Sequence, residues 1–192
     1  MNKLVLMTAL CLMAAPLLGQ RIADFELMDV VSGKGFSLEQ HRDSKAIVIV
    51  FSSVGCPFSK LYEDRVLELQ KKFSAESVAF AFINPHTGQG EDESTTKMGQ
   101  RAREKGYTLP FLADPDQSVT KMMGVSKIPE AVVLTSGPTG YAVAYKGAID
   151  NNAQSAESAS VHYLDAAIQN ILNRRRPSPT TTRAVGCNIR FH

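Results

Sequence analysis

Two hydrophobic patterns alternate along this chain: short unbroken apolar runs, and stretches where apolar residues return every three or four positions. The run Ala46-Ile47-Val48-Ile49-Val50-Phe51 is rich in β-branched residues and contains no polar one, the mark of a strand covered on both faces. Such a strand belongs at the centre of a sheet. Cys56 follows it after a Ser-Ser-Val-Gly turn, and Leu61, Tyr62, Val66, Leu69 and Phe73 then recur at helical spacing to about residue 74. Residues 78–83 form a second buried strand ended by Asn84-Pro85, and a polar stretch from His86 to Thr96 leads into a helix carrying Met98, Ala102 and Tyr107. The order strand, helix, strand, helix implies a parallel core.

Residues 36–42 read as a short amphiphilic connector, and residues 109–112 as a short strand or extended segment. A helix is predicted from Asp114-Pro115-Asp116 through Val119, Met122 and Met123 to a stop at Gly124. Ile128-Pro129 then introduces a hairpin, residues 131–134 and 141–145 around a turn at 136–140. Residues 158–173 read as a terminal helix with Val161, Leu164, Ala167, Ile168, Ile171 and Leu172 on its core side. A Pro/Thr linker over 176–183 follows. Val185, Cys187, Ile189 and Phe191 alternate with more polar residues, which predicts a tail laid against the domain in extended form.

The first residues change the compartment expected for the chain. Lys3 precedes a run from Leu4 to Leu18 interrupted only by Thr8 and Pro16, a secretory signal pattern with cleavage expected after Gly19. At roughly 15 residues the run is shorter than the ~20 that span a bilayer, so no stable membrane anchor is expected. The organisation expected is a signal peptide over 1–19, one domain over 20–173 and a linker with a cysteine-containing tail over 174–192, in a periplasmic or otherwise extracytoplasmic protein. The net charge of +2 comes from mixed signs, and the one dense cationic cluster, Arg174-Arg175-Arg176, lies at a helix end, so nucleic acid is not an expected partner.

Of three cysteines, Cys11 leaves with the leader, and Cys56 and Cys187 remain in a compartment where disulfides persist. Cys56 stands directly after a buried strand and at the first turn of a helix, where unpaired backbone N–H groups and the positive end of the helix dipole favour a thiolate. Pro57 suits that turn because its missing N–H costs nothing there. Ser59 either hydrogen-bonds the thiolate or caps the helix locally. Cys187 is either a resolving thiol that reaches Cys56 on its linker or a packed free thiol. His41, His86, His162 and His192 show no metal-ligand spacing with the cysteines and read as surface residues, and no cofactor is called for. Glu63, Asp64 and Arg65 read as a solvated helix face.

The strand leading into Cys56-Pro57-Phe58-Ser59, the hairpin introduced by Ile128-Pro129 and the final helix together resemble the thioredoxin-like superfamily over nearly the whole mature chain. The long separation of Cys56 from Pro129 is similar to that in exported thiol-disulfide oxidoreductases and the redoxin and AhpC/TSA groups, with residues 84–108 as their inserted strand and helix. The resemblance implies an α/β thioredoxin-like fold with a central mixed sheet flanked by helices. It further implies a cis Pro129 lying against Cys56, and an Ile128 backbone able to pair with an extended substrate. Pro57, Ser59, Ile128 and Pro129 are thus the substrate-binding candidates, and Cys56 and Cys187 the catalytic ones. Residues 147–152 and 182–189 look like a bacterial redoxin subgroup that keeps a cysteine near its C-terminus. Dithiol members have a second cysteine where Ser59 stands, so a disulfide within this helix turn is impossible. Ser53 matches the Ser or Thr that peroxide-reducing relatives place three before their cysteine, but their upstream proline is missing, and their activating arginine has no assignable position.

Three readings follow. Cys56 attacks a disulfide or peroxide and Cys187 resolves the intermediate; or the chain is a peroxidase reduced by an external thiol; or the domain is a non-catalytic module that captures extended partners beside Pro129. The expected partners are a protein or small-molecule disulfide or peroxide substrate and an external thiol reductant.

Overall fold

Covering a strand on both faces requires sheet neighbours at each side and helices above and below, and Ala46–Phe51 has all of these. The computed structural model describes residues 20–192; the expected leader over 1–19 lies outside them. In chain order the strands are β1 (Arg21–Ile22), β2 (Glu26–Asp29), β3 (Gly35–Ser37), β4 (Ala46–Phe51), β5 (Val78–Asn84), β6 (Phe111–Ala113), β7 (Lys127–Ile128), β8 (Glu130–Gly137), β9 (Gly140–Gly147) and β10 (Cys187–Asn188). The helices are α1 (Pro57–Lys72), α2 (Thr95–Lys105), α3 (Ser118–Met123) and α4 (Tyr163–Leu172). One sheet takes the order β1-β9-β8-β4-β5-β6-β2-β3, and β10 pairs with β7 apart from it. β4, β5 and β6 run parallel, as the alternating pattern requires, while β8 lies antiparallel to β4 on its other side. This is the mixed sheet flanked by helices that the thioredoxin-like resemblance implies.

Alternate residues of the central strands feed two cores. Val48, Val50, Phe80, Phe82 and Val133 pack with Tyr62 and Val66 of α1, Met98 of α2, and Leu164 and Ile168 of α4. Ile47, Ile49, Phe51, Ala81 and Val132 pack on the other face with Val119 and Met123 of α3, and this second cluster also takes in Cys56, Ile128 and Ile189. The cysteine loop is therefore seated on the deepest part of the sheet.

Several expectations need correction. The last helix begins at Tyr163 instead of residue 158, and Val161 is exposed. Asn151 is the cause: its side-chain oxygen accepts the N–H groups of Ser160 and Val161, and its own N–H bonds the Val161 carbonyl, which holds that segment out of a helix. α3 starts at Ser118, because Gln117 is left-handed with φ of 59° and the Asp114 carboxylate reaches across to accept from Thr120 N–H and hydroxyl. Residues 84–108 hold a single 3-10 turn and α2 but no strand beyond the end of β5; the strand of that unit is β6, past its predicted limit.

The tail docks, yet without the predicted alternation. Ile189 is buried while Val185 and Phe191 are 57% and 51% exposed, because the paired strand is only two residues long and the chain beyond it follows side-chain partners. Nor is the linker a free tether. Lys146 exchanges backbone hydrogen bonds with Thr180 and Thr182, and the Thr182 hydroxyl meets both the Ala148 N–H and the Tyr145 hydroxyl.

Candidate redox site

The turn 52–55 brings the chain from the end of β4 to the cap of α1. Cys56 is the N-cap residue, with φ of −83° and ψ of 119°, and Pro57 occupies the first helical position, exposed and needing no acceptor. Ser59, almost fully buried, accepts a hydrogen bond from the Ser53 N–H at 3.1 Å through its hydroxyl, so it braces the loop. The two preceding amides are also engaged: Val54 and Gly55 N–H donate to the two carboxylate oxygens of Glu93 at 3.2 and 2.9 Å, and Asn84 donates to the same side chain. Glu93 is buried in the 3-10 turn before α2 and is bound to the amide adjacent to Cys56. Its polar surroundings in sequence give no hint of this, since the contact spans 39 residues.

Cys56 and Cys187 are joined in a disulfide, with their Cα atoms 6.2 Å apart. Helix α1 is intact around it, so the bond needs no unwinding at the Cys56 end. Cys187 is positioned by pairing: β10 lies antiparallel to β7 with Cys187 opposite Ile128 and Asn188 opposite Lys127. The Ile128–Pro129 peptide is cis. The Cys56 sulfur sits 3.4 Å from the Ile128 carbonyl oxygen, a close contact instead of a hydrogen bond, because a disulfide sulfur carries no hydrogen. All six sequence-predicted residues thus fall in one place: Cys56 and Cys187 are bonded, Ile128 and Pro129 flank them, and Pro57 and Ser59 shape the helix start.

A cleft of about 400 Å³ opens beside the disulfide, lined by Ser53, Cys56, His86, Glu91, Cys187 and Arg190 among others. The Ser53 hydroxyl is buried and has no partner among the described residues. His86 is a correction to the surface reading: it is 4% exposed, and its Nε2 accepts the Arg190 N–H at 3.0 Å. Burial, reinforced by the positive charge of Arg190, pushes its pKa below the ordinary 6.5.

Of the helix face read as solvated, Asp64 is exposed, but Glu63 and Arg65 are not. Glu63 is buried and forms a bidentate pair with Arg101 of α2, Asp64 pairs with Lys105, and Arg65 donates to Asp150 at 2.7 Å. Tyr62 also donates to Asp150, at 2.8 Å, which with burial raises the phenol pKa. These bonds tie α1 to α2 and to the loop after β9. Arg65 belongs to that frame.

The fold and the joined cysteines define a thioredoxin-like redox protein. The chain belongs to the AhpC/TSA family, which it matches over residues 18–151. No curated protein matches it. Among solved structures it is similar to a hypothetical protein of Sinorhizobium meliloti 1021 at 28% identity and TM-score 0.81, over 93% of this chain and 96% of that one. A conserved protein of Geobacillus kaustophilus is similar at 26% identity and TM-score 0.81, over 91% of this chain and 92% of that one. The peroxidoxin BcpB of Mycobacterium tuberculosis shares the fold at 20% identity and TM-score 0.56, over 81% of this chain and 94% of that one. Membership fixes the general activity as thiol-dependent, redoxin-type oxidoreduction, with thiols or disulfides as reaction partners. Cys187 lies beyond the matched residues, so its role comes from this chain's own geometry.

Proposed function

We propose that this protein is an exported thiol oxidoreductase in which Cys56 is the nucleophile and Cys187 the resolving thiol, with the Cys56–Cys187 disulfide as the oxidised state of the cycle. The observation that carries this reading is the disulfide itself, formed between the N-cap of α1 and a strand seated on the cis-Pro129 loop. In the reduced state the Cys56 thiolate has the positive end of α1 beside it. Attack on a disulfide gives a mixed disulfide and releases one partner thiolate; Cys187 then displaces the second. Attack on a peroxide gives a sulfenic acid and an alcohol or water, and Cys187 condenses with it, releasing water. Either route ends in the observed bond, and an external dithiol restores both cysteines by giving up two electrons and two protons.

The route is tested by mixing the reduced protein with hydrogen peroxide and, separately, with a small disulfide, and following Cys56–Cys187 formation by rapid acid quench and mass spectrometry. Formation with at least one of them, far faster than the same oxidant oxidises an unperturbed thiol such as free cysteine, supports the reading; formation with neither contradicts it. Among the described residues no helix is long and apolar enough to cross a membrane. Export rests on the Lys3-led apolar run, and a mature N-terminus at or near Gln20 is the expected result of intact-mass measurement.

A further inference from the structure

The contacts that hold residues 186–192 are unusual in being made almost wholly to the tail's backbone. The pairing with Lys127 and Ile128 is extended by Ile189 N–H to the Ser126 carbonyl. Past that point the ladder is continued by side chains standing in for a strand. His86 accepts from Arg190 N–H; Gln117 and Gln89 donate to the Arg190 carbonyl at 2.8 and 3.0 Å; Gln117 accepts from His192 N–H at 3.2 Å. Gln117 is wholly buried and also donates to the Pro85 carbonyl, so its amide is fixed before anything binds it.

Little depends on which side chains the tail carries. Asn188, Arg190, Phe191 and His192 all point outward, and the contacts of Asn188 to Lys127 and of the His192 ring to Gln89 are exposed. Only three positions are read. Cys187 must meet Cys56, Ile189 enters the apolar cluster below the sheet, and Gly186 lies where nothing larger fits. A Cβ at Gly186 would stand 2.6 Å from the Ile128 carbonyl carbon, 3.0 Å from the Pro129 nitrogen, and closer still to the Ile128 oxygen.

The geometry points to a polypeptide-binding groove whose occupant in this oxidised structure is the protein's own tail, and whose partner after reduction is an extended segment of another polypeptide with the pattern Gly-Cys-x-apolar. This rests on the proposed exchange chemistry for its purpose and deepens it by naming the substrate class. A partner lying in the tail's register places its cysteine sulfur against Cys56. If that cysteine is in a disulfide, the Cys56 thiolate attacks it, the partner's second sulfur leaves as a thiolate, and the groove holds the mixed disulfide by backbone bonds alone. A small peroxide or a short thiol makes none of these bonds.

The test uses binding without redox chemistry, so its failure and that of the exchange reading are distinguishable. The full chain carrying Gly186→Ala and Cys187→Ser has its own tail displaced. The probe is a fluorescent peptide of residues 184–192 with Cys187→Ser, followed by anisotropy. It is expected to bind this variant at least about tenfold more tightly than the oxidised wild type, where the groove is filled. Gly186→Ala in the peptide, or Gln117→Ala in the protein, is expected to weaken binding by about tenfold. A peptide keeping only the residues at 186, 187 and 189, with alanine or threonine elsewhere, is expected to bind within about threefold of the parent. If the double variant fails to fold, the chain with Cys187→Ser alone takes its place, and binding above that of the oxidised wild type is still expected. Equal binding by oxidised wild type, indifference to the peptide's glycine, loss of binding by the simplified peptide, or no binding by a folded variant overturns the proposal.

Discussion

The two sulfurs of one disulfide are held by very different means. Cys56 stands between a six-residue central strand and a sixteen-residue helix, is 3% exposed, and has its loop braced by Ser59 and Glu93. Cys187 stands on a two-residue strand at the edge of the molecule, half-buried, and the chain beyond Ile189 is held by side-chain-to-backbone bonds. Local opening draws on regions with few buried apolar contacts, and the tail is such a region while the helix start is not. A resolving thiol has to come and go; a nucleophile that works from a helix cap has to stay. The difference in anchoring is consistent with the two roles proposed for them.

The largest effect expected on this contrast is that of Cys56→Ser, which removes exchange with disulfides and peroxides to background, whereas Cys187→Ser leaves a single-turnover reaction that stops at a mixed disulfide or sulfenic acid. Intact-mass measurement after one oxidant addition separates them. Loss of the first turnover in both would mean that the two sulfurs are equivalent and the contrast has no functional meaning.

Next in size is the frame behind Cys56. Arg65→Ala leaves the buried Asp150 carboxylate without its cation, since only Tyr62 and the Asn152 N–H remain to it. A loss of about 3 kcal/mol, or roughly 10 °C in Tm, is expected in thermal unfolding. Breakage of the tail contacts by Gln117→Ala is expected to cost about 2 kcal/mol of global stability, because the buried Pro85 carbonyl also loses its donor, while increasing the protease sensitivity of residues 184–192.

The smallest effect concerns pH. His86 is neutral in the fold, with its pKa depressed by burial, and accepts the Arg190 N–H. The unfolded chain takes up a proton near 6.5. The contribution of His86 is therefore complete above about 6.5 and declines as pH falls through that value, because the unfolded state then binds the extra proton. Protonation in the fold would also set an N–H against the N–H of Arg190. Arg190 and Glu93 are the charged groups acting on the ring, the first opposing protonation and the second favouring it. Faster amide hydrogen exchange at Arg190 between pH 7 and 5.5, beyond the intrinsic change and absent in His86→Gln, is the expected signature.

What could be read from the sequence divides along the same line. β4, β5, α1 and the hairpin β8–β9 follow from local periodicity, because each buries a face defined by residues close in sequence. The cysteine at the cap of α1 and the proline before the hairpin are legible for the same reason. Glu93, His86 and Gln117 were not: each acts through long-range polar contacts, reaching across 38, 104 and 73 residues respectively, and a polar residue in a polar stretch looks alike whether solvated or buried. The ion pairs of Glu63 and Arg65 were hidden equally, since a charged side chain announces no partner. In the tail, alternation was misleading because only two residues join a ladder, and backbone capture by side chains imposes no period of two.

The most direct measurement is equilibration of the protein in glutathione redox buffers, followed by acid quench, alkylation and peptide mapping without reduction. The account predicts that Cys56 and Cys187 titrate together with a single midpoint, and that the oxidised protein is a monomer with one intramolecular disulfide between them. Dimers linked through Cys56, or free Cys187 beside an oxidised Cys56, would contradict it and leave the tail a structural element only.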